Sequence, residues 1–227
     1  MFNLLFFNGV FDDYVEIRYV FVPIIAIIVL IGILVVVSLN KKKFNTKCIA
    51  FAGITIATSF VLSYLKFSPV TYGGSVTIAS LVPICIFAYM FGFAPALLCG
   101  MIYGLLQFVQ AGMYVFTPLT FLLDYLLAFS AIALMALAKK MTKNSKYAPV
   151  VGICLVYLIR FIFHFMSGLI YFENGGIWAN LPQDNAFIYS FLYQITYLGP
   201  DLIIASIATY LLCATNTFKR LIAFSEK

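Results

Sequence analysis

Residues 20–39 carry no charged side chain, an apolar run long enough, at about 1.5 Å of helical rise per residue, to cross a hydrocarbon core of roughly 30 Å. Further apolar runs occupy residues 49–65, 76–90, 93–109, 116–138, 150–172 and 187–213, so the pattern predicts seven membrane-spanning helices. Runs 76–90 and 93–109 are shorter than the usual ~20 residues, which places them deep in the bundle or with little tilt.

The charges between these runs give an orientation. Lys41, Lys42, Lys43 and Lys47 follow the first run, Lys139, Lys140, Lys143 and Lys146 the fifth, and Lys219, Arg220 and Lys227 the last. With seven spans these three basic stretches fall on one side. Asp12, Asp13, Glu16, Glu173 and Asp184 fall on the other. Short basic loops stay cytoplasmic, so the N-terminus is expected outside and the C-terminus in the cytoplasm of a multi-pass cell-membrane protein.

Composition agrees: 64% of residues are hydrophobic, 10% are charged and the mean hydropathy is +1.06. A net charge of +6 would suggest nucleic acid in a soluble chain. Here the positive-inside pattern accounts for it, with anionic lipid headgroups and no nucleic acid as the partner. The five cysteines form no CxxC and no cluster with histidine, which predicts neither a metal site nor a disulfide framework. The first run is preceded by acidic rather than basic residues and followed by no small-residue cleavage site, so it reads as an uncleaved anchor. The organisation expected is an N-terminal unit at 1–47 with an acidic segment, an extra helix and a basic loop. A six-helix membrane domain at 48–215 and a basic cytoplasmic tail at 216–227 follow.

Polar residues inside the spans carry the functional signal, because a charge at mid-membrane costs on the order of 2.5–3.5 kcal/mol on insertion scales. Asp124, Arg160, His164 and Asp201 qualify. Counting along the helices puts Asp124 and His164 in one layer, about 12 Å below the outer boundary, and Arg160 with Asp201 in a deeper one. Arg160 and His164, four apart, share a helix face. Arg160 and Asp201 fit either a buried ion pair or a ligand-contacting role for the arginine. In the ion-pair case Asp124 keeps no fixed cation and suits a cationic ligand. Tyr114, Tyr125, Phe172 and Tyr189 surround that layer, and aromatic faces attract cations and stack on flat heterocycles. Interfacial aromatic belts offer another explanation for them.

Five separated motifs then carry a family resemblance. They are the run from Tyr72 through Gly73, Gly74 and Ser75 to Pro83; Tyr103-Gly-Leu-Leu-Gln107; Leu122-Leu-Asp-Tyr125; Arg160-Phe-Ile-Phe-His-Phe-Met-Ser-Gly168; and Tyr189-Ser190 ahead of Gly199-Pro-Asp-Leu202. In this order, over about residues 48–213, they resemble the thiamine-specific S-components of energy-coupling factor (ECF) transporters, the ThiT or YuaJ family. The resemblance implies an all-α integral membrane protein: a six-helix S-component bundle, here with one additional N-terminal transmembrane helix. It implies a substrate-binding subunit rather than an enzyme, with thiamine as ligand near the outer face and no cofactor. The loop between the first two bundle helices would cap the site. Its partners would be a transmembrane coupling protein and two cytoplasmic ATPases, which fits a chain with no Gly-rich phosphate loop of its own.

Carried over by motif, the substrate-binding positions are Tyr114, Asp124, Tyr125, Arg160, His164, Phe172, Tyr189 and Gln194. Gln194 stands where the family usually has asparagine, Thr117 where histidine is frequent, Leu126 where proline is common, Asp201 where glutamate is usual, and Gly74 where some members carry tryptophan. Gly53 and Ala57, four apart on the second predicted helix, give a smooth face. The family uses small residues there for contact with the coupling protein; internal packing explains them equally well. Pro69, Gly73 and Gly74 in one outer loop, and Gly175, Gly176 and Pro182 with Trp178 in another, suit a hinged lid. Two alternatives remain: a binding subunit for a thiamine-related pyrimidine or another vitamin, and, remotely, an intramembrane enzyme using Asp124 and His164.

Overall fold

The computed structural model describes residues 44–67, 74–113, 117–142, 147–173, 181 and 184–225, together with Ile28, Ile31, Gly32 and Val35. Apart from those four helical positions the predicted span at 20–39 lies outside the described residues. So do Tyr114, Trp178, Pro69, Gly73, Gly175, Gly176 and Pro182.

Among the described residues, six bundle helices follow in chain order. Helix α1 is Thr46–Leu62, capped by the Asn45 side chain, which accepts from the Cys48 N–H at 2.8 Å. A two-residue strand pair, β1 (Lys66–Phe67) and β2 (Val76–Thr77), follows with Lys66 opposite Thr77. Helix α2 is Val82–Phe91 and α3 is Phe93–Gln110, separated only by Gly92, whose φ of +87° is one that L side chains rarely adopt. Helix α4 covers 118–141, α5 is Ala148–Glu173 and α6 is Ala186–Cys213. A seventh helix, α7 (Asn216–Ser225), closes the described chain.

The run predicted as a span at 76–90 is corrected here. Residues 76–81 are a strand and turn carried into the interior, and the helix begins only at Val82. Val76, Leu81, Ile84, Cys85 and Phe87 are almost completely buried. Non-helical backbone at membrane depth is tolerated where protein covers it and satisfies its polar groups. The Thr77 N–H accordingly donates to Asp201 of α6 at 2.8 Å.

Helix α4 is not uniformly α-helical. Between Pro118–Phe121 and Ala128–Ser130, residues Leu122–Leu127 form a π-helical turn, and Ala131–Leu134 then tighten to 3-10 geometry. Its start is fixed by a capping box in which Thr117 and Thr120 bond each other's backbone N–H. The widened turn packs against α3, where a Cβ at Gly100 or Gly104 would collide with the backbone carbonyl of Phe129 or Tyr125. Both glycines are therefore required by close approach, and that approach seats Asp124 and Tyr125 where the widened turn aims them.

Among the described residues, four helices are long and apolar enough to span a bilayer: Phe93–Gln110, Pro118–Ala138, Ala148–Phe172 and Ala186–Cys213. Thr46–Leu62 and Val82–Phe91 are shorter apolar helices. The periphery exposes Ile54, Val61, Leu158, Ile162, Ile203 and Ile207, a surface that lipid rather than water would cover. The 216–227 segment, expected as a basic tail, is mostly the amphipathic α7, which folds back on the bundle. Phe218 lies 6.0 Å from Tyr89, Phe224 lies 5.6 Å from Phe51, and the Lys47 ammonium sits 4.7 Å over the Phe224 ring.

Candidate functional site: a polar cavity in the bundle

A cavity of about 430 Å³ is enclosed by the β1–β2 segment, α3, α4, α5 and α6. Lys66, Gly74, Gln110 and Tyr171 line it near one end of the bundle, and Tyr103, Phe129, Arg160 and Asp201 line it farther inside. The helix ends carrying Lys47 and Lys140 lie at the opposite end, as does α7 with Lys219 and Arg220.

Six of the eight expected binding residues line this one space: Asp124, Tyr125, Arg160, His164, Tyr189 and Gln194. Tyr114 lies outside the described residues. Phe172 is not part of the lining; its ring packs at 5.3 Å on Tyr189, which in turn stacks at 6.1 Å on Tyr193. The aromatic wall therefore belongs to α5 and α6.

Asp124 has partners that depth counting did not assign. Its Oδ1 lies 2.9 Å from His164 Nδ1 and its Oδ2 accepts from the Ser167 hydroxyl at 2.6 Å, so α5 clamps the carboxylate through two residues one turn apart. Depth counting places His164 in the layer of Asp124 without assigning it as a hydrogen-bond partner. A carboxylate offers about four lone-pair sites. Two protein donors leave acceptor capacity facing the cavity. A carboxylate against Nδ1 fixes that nitrogen as a donor, and buried Nε2 has no hydrogen-bond partner.

The ion pair considered for Arg160 and Asp201 is not made. Asp201 Oδ1 accepts from the Thr77 N–H and hydroxyl, both at 2.8 Å, and Oδ2 from the Tyr157 hydroxyl at 2.6 Å. Its role is to hold the inserted β2 segment against α5 and α6. Arg160 lies over the Phe129 ring at 4.7 Å and near that of Tyr157 at 5.3 Å, while its Nε and Nη1 are buried without a hydrogen-bond partner. Only 6% of this residue is exposed. A buried guanidinium with unmet donors is expensive to leave so, and it faces a cavity where a ligand acceptor would satisfy it.

Gln194 makes one bond through each end of its amide. Its Nε2 donates to the His164 carbonyl at 2.9 Å and its Oε1 accepts from the Tyr197 hydroxyl at 2.6 Å. The extra methylene relative to asparagine lets it reach across to α5. Gly168 beside it admits Ser190, whose hydroxyl donates to the Phe165 carbonyl at 2.7 Å. Gln194 thus positions the His164 segment of α5. On the loop side, the Gly74 N–H donates to the Tyr193 hydroxyl at 3.2 Å, tying the segment before β2 to the aromatic wall.

Sequence reasoning missed Ser167, Tyr193, Tyr197, Thr77, Gln107 and Gln110 as lining residues. Ser167 was legible as a polar residue three after His164 on the same helix face. Thr77 was not, because its run read as a helix.

A helical bundle whose periphery suits lipid, enclosing a cavity lined by a carboxylate, aromatic rings and buried polar groups without partners, defines a multi-pass membrane protein that binds a small solute. Residues 49–220 match the family described as thiamine transporter protein (Thia_YuaJ), and the chain belongs to that family. Among its relatives, the thiamine transporter ThiT of Bacillus subtilis (strain 168) is 30% identical over 189 residues, which is 78% of this chain and 95% of the relative. ThiT of Lacticaseibacillus paracasei is 25% identical over 145 residues, 55% of this chain and 72% of that one. The solved structure of ThiT from Listeria monocytogenes shares the fold, with a TM-score of 0.63 at 20% identity, covering 78% of this chain and 99% of that chain. Membership of a transporter family also sets aside the intramembrane-enzyme alternative.

Proposed function

We propose that this protein is the thiamine-binding S-component of an ECF-type vitamin importer, taking thiamine at the outer face and delivering it through a coupling protein and two cytoplasmic ATPases. The observation that carries the ligand assignment is the α5-clamped Asp124, an acceptor with spare capacity facing a 430 Å³ cavity that also presents an aromatic wall. Thiamine joins a thiazolium cation to a flat aminopyrimidine. The carboxylate suits the cation, the Tyr189–Tyr193 wall the flat ring, and Arg160 an acceptor atom. The binding set on this reading is Asp124, Tyr125, Arg160, His164 and Tyr189, with Phe172 backing the wall and Gln194 positioning the His164 segment of α5; Tyr114, outside the described residues, is the remaining position that the family resemblance implies.

The positive-inside rule places the end bearing Lys47, Lys140, Lys219 and Arg220 in the cytoplasm, so the cavity lies toward the outside. The N-terminus is then extracellular if the run at 20–39 spans once. For coupling, the Gly53 and Ala57 face of α1 is exposed, and a Cβ at Gly53 would meet nothing within 4 Å. Internal packing does not use that face among the described residues, which favours its use by a partner helix.

The test is a titration of the purified, detergent-solubilised protein with thiamine, beside riboflavin, pyridoxine and the isolated hydroxymethyl pyrimidine. Nanomolar thiamine binding, about −12 kcal/mol, that falls at least a hundredfold in Asp124→Ala supports the reading. Binding of the pyrimidine alone, or of another vitamin in preference, would replace thiamine as the ligand.

A further inference from the structure

Among the described residues, one lysine and one arginine line the cavity, and their situations are opposite. Arg160 lies inside, buried and over the Phe129 ring. Lys66 lies at the mouth, on β1, and is exposed. Its backbone is nonetheless tied to the bundle. Lys66 pairs with Thr77, the Ile78 N–H donates to the Leu65 carbonyl at 3.1 Å, and Asp201 of α6 accepts from both the Thr77 N–H and hydroxyl. No carboxylate among the described residues pairs with Lys66. The two that line the cavity are engaged elsewhere, Asp201 by Thr77 and Tyr157, and Asp124 by His164 and Ser167. A positive charge held at the entrance opposes a ligand that carries only a positive charge, and it favours one that also carries a negative group.

Resting on the thiamine reading above, we propose that Lys66 is a specificity-determining residue at the cavity mouth, favouring ligands whose outward arm bears an anionic group, a phosphate monoester in particular, over the bare thiazolium cation. The thiazolium of either ligand is held at Asp124, so the two differ only in what the free arm presents. A phosphate monoester carries about −1.5 to −2 charges near pH 7 and three strong acceptor oxygens. Such a group is costly to strip of water, which directs its arm to the mouth rather than to Arg160 in the interior. Lysine suits that place, because its ammonium is a compact, hydrated point charge that meets a phosphate without requiring a fixed geometry. Since Lys66 is exposed, the preference it confers is that of a solvated charge pair, roughly twofold to fivefold, and it weakens with salt.

The experiment titrates the detergent-solubilised full chain with thiamine and with thiamine monophosphate, in the unaltered protein, Lys66→Gln, Lys66→Glu and Lys66→Arg. Both compounds are expected to bind the unaltered protein. In Lys66→Gln the affinity for the monophosphate falls while that for thiamine rises, so their ratio drops by roughly twofold to fivefold. It drops further in Lys66→Glu and is kept in Lys66→Arg. Opposite shifts for two ligands are not what a merely structural role would produce. At about 1 M salt, where the screening length is about 3 Å, the differences between variants should vanish. An unchanged ratio in Lys66→Glu, an equal loss for both ligands, a ratio change that survives high salt, or a monophosphate that fails to bind where thiamine binds overturns the charge selection and leaves the thiamine reading standing. If neither compound binds the unaltered protein, the thiamine reading fails and the selection with it.

Discussion

Replacing Asp201 tests whether this buried carboxylate holds the inserted segment or pairs with Arg160. Asp201→Ala removes the acceptor for the Thr77 N–H and for the Tyr157 hydroxyl, while the Thr77 hydroxyl keeps Ser80 at 2.7 Å. Two buried donors are left unmet at about 1–3 kcal/mol each, a loss of roughly 2–6 kcal/mol. At about 2–4 °C per kcal/mol for a chain of this size, the ligand-free unfolding temperature in detergent should fall by ~10 °C. Arg160→Met removes a cation that has no hydrogen-bond partner, so it should leave that temperature unchanged or raise it while lowering ligand affinity. The Arg160→Met, Asp201→Ala pair should then show a coupling energy below about 1 kcal/mol, whereas breaking a buried ion pair typically costs ~3–5 kcal/mol. An unchanged unfolding temperature in Asp201→Ala would refute the clamp. A coupling of about 3 kcal/mol or more would restore the ion pair.

Other outcomes follow from close contacts and open faces. Gly104→Val drives a side chain into the Tyr125 carbonyl and should cost about 1–3 kcal/mol or more; it should also weaken thiamine binding by displacing the π turn, and intact affinity would show that the turn's position is immaterial. Gly53→Leu projects into open space, so unfolding temperature and thiamine binding should be unchanged while co-purification with the coupling protein is lost; retention of the complex counts against the α1 face. Phe218→Ser removes the ring that packs on Tyr89 and should release α7, read as faster proteolysis after Cys213 with thiamine binding preserved.

Apolar periodicity was enough to read a membrane bundle, and charge placement gave the orientation expected of it. Five helices of the bundle begin and end within a few residues of the predicted runs, because burial in lipid demands long uncharged stretches whatever the tertiary contacts. Asp124, Arg160 and His164 stood out for the same reason: an ionisable group in such a stretch is costly enough to need a purpose. The short motifs around them then pointed to a family and to thiamine.

Pairing was decided by the tertiary structure alone. Depth along a helix says which residues share a layer but not which face each presents, so Arg160 and Asp201 looked like partners. Asp201 instead faces Thr77 and Tyr157, and Asp124 faces His164 and Ser167. The insertion at 76–81 was hidden because an apolar run reads alike as helix or as buried strand. The π turn was hidden because an apolar run reads alike whatever its helical pitch; only the structure shows Leu122–Leu127 widened where Gly104 of α3 meets the Tyr125 backbone. Hydrophobicity is a property that each residue carries along the chain, and so the sequence could specify what enters the membrane. Hydrogen-bond partnership depends on where two helices bring their faces together, and only the packed bundle settles that.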